Sequence, residues 1–248
     1  MDFRFDIIYE YREMFWIGAK YTLGLTAFSV AVGTVFGLIG ALCRLANFEK
    51  GNILLRTLGW FLRTVSLLYV TLFRGTPLFV QIFIWHFIWS VALINPVDGW
   101  LISGELAREL RKEYGALIAG ALALSVNAGA YITEIFRAGI QSIDRGQVEA
   151  ARSLGLNYAQ TMRHVILPQA TRRMLPPFGN EFITLLKDSS LVSAIGVAEL
   201  AYVARTVSGR FSIYEEPYYA IALIYLVMTI GLAALFSWLE KRYRIGQR

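Results

Sequence analysis

The sequence predicts an all-α integral membrane protein with five transmembrane helices, first of all from its composition. Of its 248 residues, 56% are hydrophobic and 17% are charged. A soluble domain carries roughly 25% charged residues, because its surface faces water. Aromatic residues make up 14% of the chain, and Trp and Tyr are typical of a lipid boundary. The net charge of +6 does not indicate nucleic-acid binding, since the basic residues lie between apolar runs.

Long apolar runs are the second observation, and they define four spans directly. A membrane-spanning helix needs roughly 20 mostly apolar residues. Uncharged stretches of that length lie at 21–43, 75–97, 114–133 and 217–239. Together with a fifth, polar span, the predicted helices are 21–43, 75–95, 114–136, 176–200 and 217–239.

The fifth span contains charged residues, which are costly inside a membrane and usually face a bundle interior or an aqueous path. These residues are Glu181, Lys187, Asp188 and Glu199. The stretch is therefore predicted to line something polar. The segment 59–73 is also apolar apart from Arg63, and we interpret it as an interfacial helix that feeds the second span, without fixing its role.

The distribution of basic residues predicts the orientation, because Lys and Arg concentrate on the cytoplasmic side. The loop between the third and fourth spans is rich in arginine, and so is the C-terminus. The basic residues there are Arg145, Arg152, Arg163, Arg172, Arg173, Lys241, Arg242, Arg244 and Arg248. The sequence thus predicts an extracytoplasmic segment 1–20, one transmembrane domain 21–240 and a cytoplasmic tail 241–248.

The cytoplasmic loop 141–173 is predicted to contain two short amphipathic helices joined at a glycine. Asp144 with Gln147 indicates the start of the first helix, and Gly155 suits its left-handed C-terminal position. Asn157 with Gln160 indicates the second start, and Pro168 is expected to end that helix. The apolar stripes are Val148, Ala151 and Leu154, then Tyr158, Met162 and Val165.

Small residues on this loop favour docking to a protein over lying on the membrane. Ala150 and Ala151 offer little side chain to insert into lipid, but they allow another backbone to approach closely. Glu149 stands beside them in a loop otherwise rich in cations.

The same residues resemble the EAA signature of bacterial ABC importer permeases. That signature is Glu-Ala-Ala, three residues, Gly, nine residues, Ile, one residue and Leu-Pro. Here it reads Glu149, Ala150, Ala151, Gly155, Val165, Leu167 and Pro168. Every spacing matches, and Val165 in place of Ile is the one departure.

Three flanking motifs are similar to those of the polar amino-acid permease group, which imports histidine, arginine, glutamine and glutamate. They are FRGTPL at 73–78, YITEIFR at 131–137 and KDSSL at 187–191. Ala138 stands where Gly is commoner in that group. The resemblance covers nearly everything from Tyr21 to the C-terminus.

The resemblance implies a type I ABC importer permease core of the methionine-importer-like kind in a bacterial plasma (inner) membrane. It implies a second permease copy, identical or related, a cytoplasmic ATPase dimer and an external binding protein that delivers an amino acid. The seven signature residues would be the ATPase-coupling contacts, with Leu167 and Pro168 anchoring the second loop helix.

The chain itself is expected to be a transport subunit and not an enzyme. It contains no G-x-x-x-x-G-K-[ST] stretch, so ATP and Mg²⁺ would be bound by partner subunits. One cysteine and two distant histidines provide no metal motif, and no cofactor of its own is expected.

A polar route for an amino-acid zwitterion is predicted along charged and hydroxyl residues of the spans. The residues predicted for this path are Arg74, Thr76, Glu134, Glu181, Lys187 and Asp188. Intramembrane charges also pair with one another merely to hold a bundle, and Arg74 could simply reach the interface. Both interpretations remain open at this point.

Three other functions compete with an importer of polar amino acids. A permease for a different small solute shares the EAA loop and differs only in the flanking motifs. A carrier driven by an ion gradient is less favoured, because no internal repeat of spans is visible. A membrane enzyme would need a catalytic constellation, and none occurs at a known motif spacing.

Overall fold

The computed structural model describes residues 4–46 and 51–243, in which the regular elements are helices joined by turns and short connections, with an isolated bridge between Ile94 and Ile102. The helices are α1 (Phe5–Glu10), α2 (Arg12–Leu45), α3 (Ile53–Gly75), α4 (Leu78–Ile84), α5 (Ser90–Leu93), α6 (Gly104–Gln141), α7 (Arg145–Ser153), α8 (Tyr158–Thr161), α9 (Leu167–Asp188), α10 (Leu200–Phe211) and α11 (Glu215–Tyr243). Turns of π-helix at Trp85–Trp89 and Met162–Ile166 join α4 to α5 and α8 to α9, and a 3₁₀ turn at Ser189–Ile195 follows α9. The predicted all-α class is confirmed.

Four of the described helices, α2, α3, α6 and α11, are long and apolar enough to cross a membrane. A fifth passage is broken: the continuous stretch Tyr158–Ile195 and α10 pass the same test as a pair bent by 47°. The predicted spans 21–43, 114–136 and 217–239 lie within α2, α6 and α11 respectively. The polar span 176–200 corresponds to the broken passage.

The span predicted over 75–95 needs correction. Helix α3 ends at Gly75, Thr76 and Pro77 are extended, and the next helical stretch, Leu78–Leu93, is a shorter apolar one. The cause is Pro77, which lacks an N–H and disfavours helical geometry at the preceding residue. The segment 59–73, whose role the sequence left open, belongs to α3.

Helix α3 and the stretch from α4 to α5 both pack against α6. Tyr69 in α3 donates a hydrogen bond to the carbonyl of Val126, at 2.7 Å. Further along, His86 lines a small cavity together with Arg111 and Gly115, nearer the beginning of α6. Counted together as one passage, these two pieces leave five passages in the described chain. We call the side where α6 ends, at Gln141, the loop side.

Helices α2 and α6 pack closely through small residues. A Cβ atom on Gly37 would lie 2.5 Å from Cγ2 of Ile132, and one on Gly40 would collide with Thr133. Backbones that approach this closely gain dispersion contacts that substitute for a hydrophobic driving force inside lipid. The central core beside this contact contains Leu124, Ile132, Leu185 and Val192.

The predicted segment 1–20 is not a separate element. Helix α2 already begins at Arg12, and its Phe15 and Ala19 are buried in a cluster with Leu200 and Val203 of α10. At the other end α11 continues to Tyr243. Arg244 and Arg248 of the predicted tail 241–248 lie outside the described residues.

Candidate functional site

The loop after α6 begins with a short capped helix. The Asp144 side chain accepts a hydrogen bond from the N–H of Gly146 at 2.6 Å, which caps α7. Gly155 has φ = +86°, a left-handed conformation that favours glycine. The N–H of Leu156 then donates to the carbonyl of Ala151 at 3.2 Å and closes the end of the helix. The glycine turn expected from the sequence is present.

The second loop helix starts as expected but does not end at Pro168. Asn157 and Gln160 form a reciprocal capping box at the start of α8. The helical path then continues through the π turn Met162–Ile166 into α9, and Pro168 is one of the first residues of α9. The expectation that Pro168 stops the helix is wrong, because the wider π turn accommodates a residue that cannot donate a backbone hydrogen bond.

The inner face of the loop packs on the ends of α6 and α9. Its buried residues, which we call the loop core, are Ile143, Ile166, Ala170 and Met174. Val148 and Met162 pack against the loop core, and Ala151 is buried. The predicted stripes are wrong at Leu154 and Tyr158, which are 84% and 66% exposed. Leu154 follows the last residue of α7, where the chain already turns.

The outer face of the loop carries part of the signature. Glu149, Ala150 and Gly155 are exposed, together with Leu154 and Tyr158, and we call these five residues the outer loop surface. Among the other signature residues, Ala151 is buried, Val165 is half-buried, and Leu167 and Pro168 are exposed.

A cavity of about 580 Å³ lies between the end of α3, the loop-side half of α6 and α9. Three of the six residues predicted for the path line it: Arg74, Glu134 and Glu181. Arg173 and Tyr131 also line it, and the Arg74 guanidinium carbon lies 5.0 Å from the centre of the Tyr131 ring. The cavity therefore presents charges of both signs.

Glu134 is already paired with two arginines that do not line the cavity. Arg137 Nη2 lies 2.7 Å from its Oε2, and Arg44 Nη2 lies 3.6 Å from its Oε1. The Glu134 side chain is 18% exposed, so the ion pairs are largely shielded from solvent. Among the described residues, Arg74 and Glu181 form no such ion pair, so these two predicted path charges remain available to a bound molecule. Arg173, which also lines the cavity, donates a hydrogen bond to the carbonyl of Ser142.

The structure does not bring Thr76, Lys187 or Asp188 into this cavity. The Thr76 hydroxyl donates to the carbonyl of Leu72 at 2.8 Å and accepts from Gln81. Lys187 is exposed, and Asp188 is the last residue of α9, where the 3₁₀ turn begins. These residues shape the helix ends rather than the cavity wall.

A buried carboxylate supports the broken passage. Glu199 caps α10 by accepting hydrogen bonds from the N–H groups of Ala201 and Tyr202, each at 2.9 Å, and from the Tyr225 hydroxyl at 2.7 Å. In lipid an unsatisfied backbone N–H costs several kcal/mol, so this capping makes a helix break possible inside the bundle. The charge of Glu199 inside the predicted polar span is thus explained by its role as a helix cap.

Sequence reasoning missed two buried amides, Gln81 and Asn127. They are 4% and 6% exposed and bond to each other and to the end of α3. The sequence contains one feature that could have identified them: each is an amide inside an apolar run, and amides are rare at lipid-facing positions. Within residues 4–46 and 51–243 no cluster of side chains suited to a metal ion occurs.

Comparison with known proteins defines the class as a component of membrane transport systems. The chain belongs to the family of binding-protein-dependent transport system inner membrane components, which residues 33–245 match. More particularly, it is the permease of an ABC importer, a transport subunit and not an enzyme. The predicted family, fold and transport role are confirmed.

Individual relatives agree with this assignment. The glutamine transport system permease protein GlnP of Escherichia coli (strain K12) is 34% identical over 246 residues, 99% of this chain and 100% of that protein. A solved structure of an amino acid ABC transporter with histidines is 37% identical, covers 98% of this chain and 100% of its own, and has a TM-score of 0.76. The inward-facing MetNI methionine ABC transporter shares the fold, with a TM-score of 0.69 at 19% identity over 94% of this chain and 97% of that chain.

Proposed function

We propose that this permease forms the pathway for a polar amino acid, delivered by an external binding protein and moved by ATP hydrolysis on cytoplasmic partner subunits. The observation that carries the proposal is a shared helix end. The last turns of α6 line the charged cavity through Glu134 and Ala138 and pack against the loop core through Phe136 and Ile140. A displacement of the loop therefore displaces the cavity wall.

The charges of the cavity fit an amino-acid zwitterion. Arg74 can bind the carboxylate in a charge-assisted, bidentate manner, and the Glu181 carboxylate can accept from the ammonium group. Both side chains face one cavity whose volume of about 580 Å³ exceeds that of a single amino acid. Thr76, Lys187 and Asp188 belong to the predicted path only if it extends beyond this cavity.

The outer loop surface is suited to docking on an ATPase. Ala150 and Gly155 let another backbone approach, while Glu149 offers a hydrogen-bond acceptor at the same place. In our proposal these residues contact the ATPase directly, while Ala151, Val165, Leu167 and Pro168 hold the two loop helices in place.

The proposed assembly contains two permease copies, identical or related, two ATPase subunits and one external binding protein. ATP and Mg²⁺ bind to the ATPases. The protein lies in a bacterial plasma membrane with its N-terminus outside, because the arginine-rich loop and the C-terminus then face the cytoplasm.

Uptake into proteoliposomes tests the substrate class. The permease is reconstituted with its ATPase and with the binding protein encoded beside it, and labelled amino acids, sugars and phosphate are offered. We expect ATP-dependent uptake of a polar amino acid that persists when ion gradients are collapsed. Uptake of a sugar or phosphate alone would contradict the amino-acid assignment, and uptake that needs an ion gradient but no ATP would favour the carrier.

A further inference from the structure

A buried hydrogen-bond network holds the break between α3 and α4. The Gln81 side-chain amide nitrogen lies 2.9 Å from the Phe73 carbonyl, 3.1 Å from the Thr76 carbonyl and 2.9 Å from the Thr76 hydroxyl, so these three acceptors share its two N–H groups. A helix that ends inside a membrane leaves carbonyls without partners, at a cost of several kcal/mol each. Gln81 removes that cost for two of them.

Asn127 ties the same break to α6. Its amide nitrogen donates to the Phe73 carbonyl and to Gln81 Oε1, each at 3.0 Å. The carbonyl of Phe73 thus accepts from two amides on two different helices. Since both amides are buried, the peptide that follows Phe73 is fixed relative to α4 and α6 at once.

That peptide leads directly into Arg74, the basic residue of α3 at the cavity. Asn127, Tyr131 and Glu134 follow one another along a single face of α6, since residues three and four apart are neighbours on a helix. Asn127 fixes the backbone before Arg74, and one turn further Tyr131 lies under its guanidinium group at 5.0 Å. The same face of α6 therefore sets both ends of the Arg74 side chain.

We propose that Gln81 and Asn127 are positioning residues, which aim Arg74 into the cavity so that it can meet the carboxylate of the transported amino acid. Neither amide lines the cavity, so neither contacts the substrate in our proposal. The inference rests on the proposed path through that cavity. It gives the helix break between α3 and α4 a role in transport, which the charged residues of the cavity do not explain.

A double-mutant cycle on uptake tests the proposal. Asn127→Leu removes the amide at nearly constant size. We expect it to raise the KM for transport at least about fivefold, because one contact that positions Arg74 is lost, and to leave the maximal rate within about twofold of the wild type. In an Arg74→Ala background the same substitution should change the KM by less than about twofold, because the residue through which it acts is gone. Ser125→Ala is the matched control: this buried hydroxyl on α6 bonds to its own helix and should have no effect in either background.

A second measurement locates the side chain at position 74 without transport. In a Cys43→Ser protein, which then has no other thiol, Arg74→Cys is labelled with a cationic thiol reagent. We expect Asn127→Leu or Gln81→Leu to change the labelling rate at least about threefold, and Ser125→Ala to leave it unchanged.

The outcomes distinguish a failure of the positioning role from a failure of the proposed path. If Asn127→Leu raises the KM equally with and without Arg74 and the labelling rate is constant, the amides only stabilise the fold and the inference is wrong, while the path stands. If Arg74→Ala itself leaves uptake unchanged, the proposed path is wrong, and the positioning role of Gln81 and Asn127 is wrong as well.

Discussion

At the scale of single residues, two of the predicted path charges at the cavity, Arg74 and Glu181, form no ion pair among the described residues, whereas the third, Glu134, is held by Arg137 and Arg44. Sequence reasoning found all three because a charge in an apolar run stands out. It could not tell which of them are paired, since Arg44 and Glu134 are distant in sequence. It also passed over Gln81 and Asn127, whose role depends on a helix break that only the packing reveals.

Replacing Arg74 tests the first of these assignments. Arg74→Ala should lower kcat/KM for amino-acid uptake at least about tenfold, because a hydrogen-bonded charge pair with the substrate carboxylate is lost. Arg63→Ala is the control on the same helix, since Arg63 bonds to the carbonyl of Gly59 in its own helix, at 3.2 Å, and does not line the cavity. It should stay within about twofold of the wild type in the same proteoliposome assay. Equal losses in both variants would contradict a specific role for Arg74.

At the scale of elements, the contact between α2 and α6 and the loop after α6 are built in different ways. The contact of the α2 glycines with α6 could not be predicted from the sequence, because the two helices are distant along the chain. Capping residues located both loop helices correctly, because caps act locally. The predicted apolar stripes are wrong at Leu154 and Tyr158, where tertiary packing overrides the local pattern. The predicted helix end at Pro168 is wrong because a π turn carries the helical path past it.

The close contact of α2 with α6 predicts an uneven sensitivity to size. Gly37→Leu should destabilise the permease by about 1–3 kcal/mol or more, because the new side chain collides with Ile132. Gly24→Leu on the same helix should be tolerated, since a Cβ there has no neighbour within 4 Å. The thermal unfolding midpoint in detergent measures both. Comparable midpoints would show that the two helices are not packed as described.

Two adjacent alanines of the loop should respond in opposite ways. Ala151 is 4% exposed, so Ala151→Leu should overpack the loop and lower the unfolding midpoint. Ala150 is exposed, so Ala150→Leu should leave the midpoint unchanged but block the approach of the ATPase and abolish ATP-driven uptake. An Ala150→Leu protein that still couples uptake to ATP would place the docking surface elsewhere.

At the scale of the whole molecule, composition and hydropathy predicted the all-α membrane class and the number of passages. They placed one passage incorrectly, since the break at Pro77 divides it between α3 and the stretch Leu78–Leu93. The loop signature predicted the importer family, which the comparisons confirm. The cavity could not be predicted, because it is formed by α3, α6 and α9 from separate parts of the chain.

The proposed orientation can be tested with single thiols in a Cys43→Ser protein. Val97 is 89% exposed in the connection before α6, and Leu154 is 84% exposed on the outer loop surface. In intact cells, a membrane-impermeant maleimide should label Val97→Cys, while Leu154→Cys should be labelled only after the membrane is opened. The reverse pattern would invert the topology and place the outer loop surface away from any cytoplasmic ATPase.

The central claim is that the loop transmits ATP hydrolysis on a partner to the cavity. The most direct test is ATP-driven uptake by proteoliposomes carrying Gly155→Asp, which places a charged side chain on the outer loop surface. Asp adopts a left-handed conformation more readily than most residues but strains the backbone there, so the unfolding midpoint is measured on the same protein. With the same amount of assembled permease and an unchanged unfolding midpoint, the account predicts that uptake falls to the level without ATP. Uptake equal to the wild type would contradict it.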